Sequence, residues 1–437
     1  THTGEMIVLI RDNSTETSSA VLNASGPGAA SYSSVVLRPA YKGLMMSGNV
    51  AGPLIDLNGA DNVRIDGRAS DYYIDIDMTI KNENTAGAST IRMYNGATNN
   101  TIQYLQLQGA GNDINTGVVT LGSNGCSNIN INKNLISGIS ATVRPANLIA
   151  SVGGTSLNTT VNIQNNEFFR FLRPDMAANA IKIGTNSTDF SITHNSFYEP
   201  DGLTTTAADE HAVIRIDNST NGSNFNITDN YIGGSAKLCS GTAWTKTGNN
   251  NTFSAIRLNA TGSSINNNIY RNSIRNFSYS NSSNADWQAI YVAGGTANIG
   301  SGSGNGNTIG NSAIAENIKV NNNGNNGNVY GIRINSASEV LCQNNNISSI
   351  KTLSDSTKYA VNLYGIHKSG SGNIRLSHNH VGSETVSNSL HCSSTCTASN
   401  QILNGIHVNG TGNITVTDNI VSHLSNASNT SGTYVGR

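Results

Sequence analysis

Residues 255–277, "AIRLNATGSSINNNIYRNSIRNF", alternate apolar and polar side chains as a β-strand does, yet carry Asn at almost every bend. Asn is depleted in strands because its side chain competes for backbone hydrogen bonds. The same conflict recurs along most of the chain. "NAIKIGTNSTDFSITHNSF", "HAVIRIDNSTNGSNFNITDNYI", "VYGIRINSASEVLCQNNNI", "LYGIHKSGSGNIRLSHNHV" and "LNGIHVNGTGNITVTDNIV" share one order: strand, Gly/Ser/Asn turn, strand, Asn, short apolar piece. The first-strand anchors Ile55, Ile91, Val119, Ile149, Ile181, Ile214, Ile256, Ile290, Ile332, Ile366 and Ile406 recur about every 35 residues, a solenoid or propeller period. Propeller blades need four antiparallel strands. Three short strands repeating in the same order predict instead an all-β, single-stranded, right-handed parallel β-helix of about eleven coils. Residues 1–50 are expected to form irregular N-terminal coils. Residues 51–437 should form regular coils in one continuous domain, with loop insertions at one corner.

Asn134, Asn166, Asn195, Asn230, Asn272, Asn345, Asn379 and Asn419 each stand two residues before an apolar position. Asn tolerates left-handed backbone at a sharp corner, and a stacked amide can donate to one neighbouring coil and accept from the other. These residues are therefore read as a structural Asn ladder, not as ligands. N-x-S/T sequons, among them Asn226, Asn259 and Asn413, arise from the same turn chemistry.

Composition narrows the function. The chain holds 67 Asn and 45 Gly among 437 residues, with 12% charged residues and a net charge of −1. So small a charge excludes a general attraction to nucleic acid or anionic membrane. No apolar run is long enough for a transmembrane helix. Cys392 and Cys396 in "HCSSTC" are close enough to close a small disulfide loop in an oxidising compartment. Asp75 and Asp77, two apart in the acidic stretch "DNVRIDGRASDYYIDID", are the weak candidates for a Ca²⁺ site. The paired "DD" and "GHG" of polygalacturonase-like enzymes are absent, and no cofactor is expected.

Within each first strand the residue between two inward apolar positions points outward. That column reads Lys182, Arg215, Arg257, Tyr291, Arg333, His367 and His407. The insertions at 199–210, 233–253, 276–287, 351–360 and 382–403 should emerge beside it and carry Trp244 and Trp287. Cations and aromatic faces together suit a polysaccharide or surface glycan. The competing reading pairs the arginines with loop acids such as Asp209, Glu210 or Asp286.

Residues 38–110 carry a more specific signal. "RPAYKGLMMSGNVAGPLIDLNGADNVRIDG" followed by "GATNNTIQYLQLQGAG" resembles the β-helix region of large surface proteins of Bacteroidota, exported by the type IX secretion system and often described as adhesin-like. The resemblance implies an extracellular or cell-surface location, the secretion machinery as a partner, and a non-enzymatic structural or adhesive role. That family's C-terminal sorting domain has no counterpart before "SGTYVGR", so the chain is expected to be a segment of a longer protein. The alternatives are a carbohydrate-active β-helix enzyme, either polysaccharide lyase or glycoside hydrolase, and a phage-like fibre segment.

Overall fold

The computed structural model describes residues 2–26, 30–261, 267–427 and 434–436. The chain is a parallel β-helix, and every described pairing between strands is parallel. It divides into two compact units: Thr1–Arg173, Ala178–Ser196 and Asp217–Phe225 form one, and Pro174–Ala177, Phe197–Ile216 and Asn226–Arg437 the other.

In the first unit each coil contributes one strand to each of three sheets. The anchor column holds its register: Ile55 lies against Ile91, Ile91 against Val119, Val119 against Ile149, and Ile149 against Ile181. Stacking like on like gives each inward aliphatic side chain the same neighbour above and below, and burying each one is worth about 1.5–3 kcal/mol. Residues 1–50 are not irregular. His2–Ile10 pairs with Ala30–Pro39, and Ser14–Glu16 with Leu44–Gly48, as regular coils. The described third-sheet strands number thirteen, against eleven anchors read from sequence; Ala20–Asn23 and Tyr434–Gly436 are the two without one.

The second unit has the same three sheets and a fourth that sequence reading did not foresee. Segments expected to be corner loops contain strands Leu203–Thr205, Trp244–Gly248, Phe277–Asn281, Ile350–Ser354 and Leu390–Ser394, joined by Ile318–Asn322 and Leu424–Asn426. Trp244 sits opposite Phe277, Phe277 opposite Ile318, Ile318 opposite Ile350, and Ile350 opposite Leu390. These insertions form a fourth wall.

The Asn ladder is present in both units. In the first, Asn134 Nδ2 donates to Asn166 Oδ1 at 3.0 Å, and Asn166 Nδ2 to Asn195 Oδ1 at 3.0 Å. In the second, the chain of donations runs Asn230, Asn272, Asn307, Asn345, Asn379, Asn419, each step 2.9 Å. Asn307 is the rung that "GSGNGNTIG" concealed. Nδ2 of the ladder residues other than Asn230 also reaches a carbonyl one coil back, as Asn272 does to Ile227 at 2.8 Å. The left-handed backbone expected at these residues lies one position earlier, at Lys133, Asn165, His194, Asp229, Arg271, Asn344, His378 and Asp418, with φ between 52° and 59°. The ladder residue has to aim its own N–H at the next amide oxygen, as Asn272 does to Asn307 at 3.0 Å. The preceding residue therefore makes the turn. Its side chain points outward, where Arg271 meets Asp229 at 2.7 Å and His378 meets Asp418 at 3.8 Å.

Candidate functional site

In the second unit the outward column holds register: Arg257 stands beside Tyr291, Tyr291 beside Arg333, Arg333 beside His367, and His367 beside His407. Lys182 belongs to the first unit, beside Ala150, where its Nζ donates to Ile114 O at 2.7 Å and Asn115 Oδ1 at 3.3 Å.

The arginines are held by carboxylates from the preceding bends. Glu210 receives Arg215 at 2.8 Å and Arg257 at 3.2 Å, while Asp286 receives Arg333 at 2.8 Å. Arg333 also lies 4.9 Å from the Tyr291 ring centre and 4.8 Å from that of Tyr330. Two carboxylates thus serve three arginines on this face, with Glu210 shared between the arginines of two coils. Glu210 and Asp286, with Asp209, Asn250, Asn284 and Asn328, line an open recess of ≈ 510 Å³. Asp209 forms no ion pair among the described residues, so its carboxylate alone in this recess is uncompensated.

Two ring residues were missed. Tyr330 stacks on Tyr364 with centres 5.2 Å apart, and Tyr364 lies 4.9 Å from His367 and 5.6 Å from His407. Strict alternation puts Tyr330 inward with Ile332, but Val329 and Ile332 are both buried in unbroken register with Trp287 and Ile290, so the alternation breaks across Tyr330 and Gly331. A Cβ there would meet Gly365 O at 2.5 Å and Ile347 Cγ2 at 2.6 Å. The "YGI" triplets at 330–332 and 364–366 are the signal that could have revealed it.

His367 is 9% exposed, and burial, His407 and Arg333 hold its pKa down to about 4. Its folded pKa lies below its unfolded value, so the unfolded chain takes up the proton first as pH falls. The fold should therefore weaken between about pH 6.5 and 4 through this residue, with no penalty above that window. His367→Phe keeps the ring stack and removes this contribution. The stability lost between pH 7 and 4.5, followed by denaturant titration, should shrink by on the order of 2 kcal/mol relative to the parent chain.

Several predicted site residues lie elsewhere. Trp244 and Trp287 are both 0% exposed, so neither offers a face to a sugar. Trp244 stacks on Phe277 at 5.2 Å, and Trp287 on Phe253 at 5.8 Å, inside the coil. Cys392 and Cys396 are free thiols. Cys392 faces inward on the fourth wall, where burial pushes its thiol up to about 12, while Cys396 lies beyond the strand end and accepts the Ser399 N–H at 3.2 Å. Asp75 and Asp77 share no strand face, since the next strand begins only at Met78. Asp75 is exposed against Lys42 at 2.8 Å, whereas buried Asp77 accepts the Ala69 N–H at 3.0 Å. Among the described residues no group of three His, Cys, Asp or Glu is placed to hold a metal ion, and no helix is long and apolar enough to cross a membrane. No protein-family model matches the chain, and comparison with curated proteins finds no match.

Proposed function

We propose that the chain is a non-enzymatic structural or adhesive β-helix of a secreted or cell-surface protein, whose third-sheet face meets a glycan. The observation that carries this reading is the compensation of Arg215, Arg257 and Arg333 by Glu210 and Asp286. Polar side chains on this face tie coil to coil, and a half-buried ion pair so placed stabilises register by at most about 1 kcal/mol. A face of paired charges and amides suits the hydroxyls of a sugar chain better than a strongly anionic polymer. The resemblance of residues 38–110 to type IX-exported surface proteins supports the extracellular location and the export machinery as a partner.

A second reading has one observation in its favour. The recess beside Glu210 and Asp286 also holds the unpaired Asp209, and a carbohydrate-active enzyme needs carboxylates facing one substrate. One assay separates the two. The purified chain is passed over immobilised neutral and anionic polysaccharides, and the eluates are analysed for new reducing ends and unsaturated products. The adhesive reading predicts retention on a neutral polysaccharide without product, and retention at least several-fold weaker when Asn284 and Asn328 are replaced by Ala. Released product that disappears in Asp209→Asn would overturn it in favour of the enzyme. A phage-like fibre would instead sediment as a trimer.

A further inference from the structure

Lys246 occupies an inward position of the fourth wall, opposite Tyr279, and is 0% exposed. The ammonium lies 4.8 Å from the Tyr279 ring centre, and that ring packs on Phe253 at 5.2 Å within the aromatic cluster of Trp244, Phe277 and Trp287. Nζ contacts three oxygens: the carbonyl of Asn249, the carbonyl of Ser280 at 3.0 Å, and Oδ1 of Asn281 at 2.6 Å. The third belongs to a side-chain amide on the neighbouring coil. That amide oxygen also accepts the Asn251 N–H at 3.1 Å, and Asn281 Nδ2 donates to Ala285 O at 3.3 Å. A buried amine thus lies against a polarised, immobilised carboxamide, with both side chains out of reach of water.

We propose that Lys246 and Asn281 join in an intramolecular amide bond that covalently links two successive coils. Nζ attacks Cγ of Asn281, and the carbonyl electron pair moves to Oδ1, where the Asn251 N–H stabilises the oxyanion as a backbone donor does in acyl transfer. A proton passes from Nζ to Nδ2. Collapse of the intermediate restores the carbonyl, breaks the Cγ–Nδ2 bond and releases ammonia. No oxidant, metal or cofactor enters the balance. The step needs the uncharged amine; burial lowers the Lys246 pKa to about 7, which populates that form near neutrality. Fixing the two groups in the folded interior supplies the proximity that free amine and amide lack. Lys368 provides the comparison within the chain. It is equally buried, but its Nζ meets only the backbone carbonyls of Gly370 and Thr411, so no side-chain amide is in position to react.

The test is intact-mass and peptide mass spectrometry of the full chain, folded and held at pH 8, with circular dichroism confirming β-structure. The folded chain is expected to be lighter than its sequence by one ammonia and to yield a branched proteolytic peptide joining Lys246 to Asn281. Chain kept in denaturant should retain its full mass. Lys246→Met and Asn281→Leu should each abolish the branched peptide. A succinimide at an Asn–Gly step also expels ammonia, but it survives Lys246→Met and gives no branched peptide. Full sequence mass in the folded parent chain, or ammonia loss without the branched peptide, would overturn the proposal.

Discussion

Asn272→Ala is expected to lower the stability of the folded chain by about 3–6 kcal/mol in a denaturant titration followed by circular dichroism, several times the effect of an ordinary surface substitution. Asn272 stands in the middle of the second unit's ladder. Its Oδ1 accepts the Asn230 N–H at 3.1 Å and Asn230 Nδ2 at 2.9 Å, and its Nδ2 donates to Ile227 O and Asn307 Oδ1. Alanine deletes all four bonds; Asn307 Oδ1 keeps the backbone N–H of residue 272, while Ile227 O and two Asn230 donors each lose a bond at a buried corner. Each unsatisfied buried group costs about 1–3 kcal/mol, partly relieved if water enters. Asp at the same position is informative too: it retains the accepting oxygen but places an acceptor against Asn307 Oδ1. Asn272→Asp should therefore be at least as destabilising as Ala above pH 5 and should recover as the carboxyl protonates. An effect below about 1 kcal/mol for Asn272→Ala would mean that the amide column is decoration on a core stable without it.

Phe253→Ala should cost about 3–5 kcal/mol by the same measurement. Phe253 lies within 6 Å of four rings: Trp244 at 5.9 Å, Phe277 at 5.6 Å, Tyr279 at 5.2 Å and Trp287 at 5.8 Å. The cluster joins strands of the third sheet to strands of the fourth, so truncation leaves a cavity with rigid walls on several sides. Residues of mobile surface loops behave differently, and their truncation stays within about 0.5 kcal/mol. The size of this effect therefore distinguishes a fourth wall from a set of ligand-facing loops. Tryptophan fluorescence provides a second readout: emission from Trp244 and Trp287 should be blue-shifted in the parent chain and move to the red in the variant.

What could be read from the sequence follows from which residues repeat by type. The anchor column was legible because Ile and Val recur at one inward position, and the register of Ile256, Ile290, Ile332, Ile366 and Ile406 agrees with that reading. The ladder was legible because Asn, whose short carboxamide carries both donor and acceptor, recurs at that corner. It failed at Asn307, where "GNGNTIG" offers two Asn in one Gly-rich turn. From Arg257 to His407 the outward column shares one register, although His367 is buried, and the loop acids Glu210 and Asp286 were among the partners anticipated for its arginines.

The fourth sheet escaped because its inward positions do not look inward. "WTKTG", "FSYSN", "IKTLS" and "LHCSS" put Lys246, Tyr279, Thr352 and Cys392 inside, successive members of one column except for Val320 between Tyr279 and Thr352. Polar residues at buried positions break the alternation that marks a half-buried strand. The same blindness turned Trp244 and Trp287 into loop aromatics, and the break in alternation just before Ile332 and Ile366 hid Tyr330 and Tyr364. Residues 1–50 hold none of the anchors that begin at Ile55, although Asn23 and Asn49 already stack on Asn58 and Asn84 at 2.8 Å. Their strands are paired as regularly as the rest.

The most direct test of the stacked-coil architecture is disulfide trapping between coils of the fourth wall. Thr245 and Ser278, far apart in sequence, stand opposite one another between the pairs Trp244–Phe277 and Lys246–Tyr279. Neighbouring strands about 4.8 Å apart bring Cα atoms within the range that a disulfide spans. Thr245→Cys with Ser278→Cys should cross-link rapidly under mild oxidation, while Thr245→Cys with Ser280→Cys should remain reduced. Rapid cross-linking of the offset pair, or of neither, would contradict the register and with it the fourth wall.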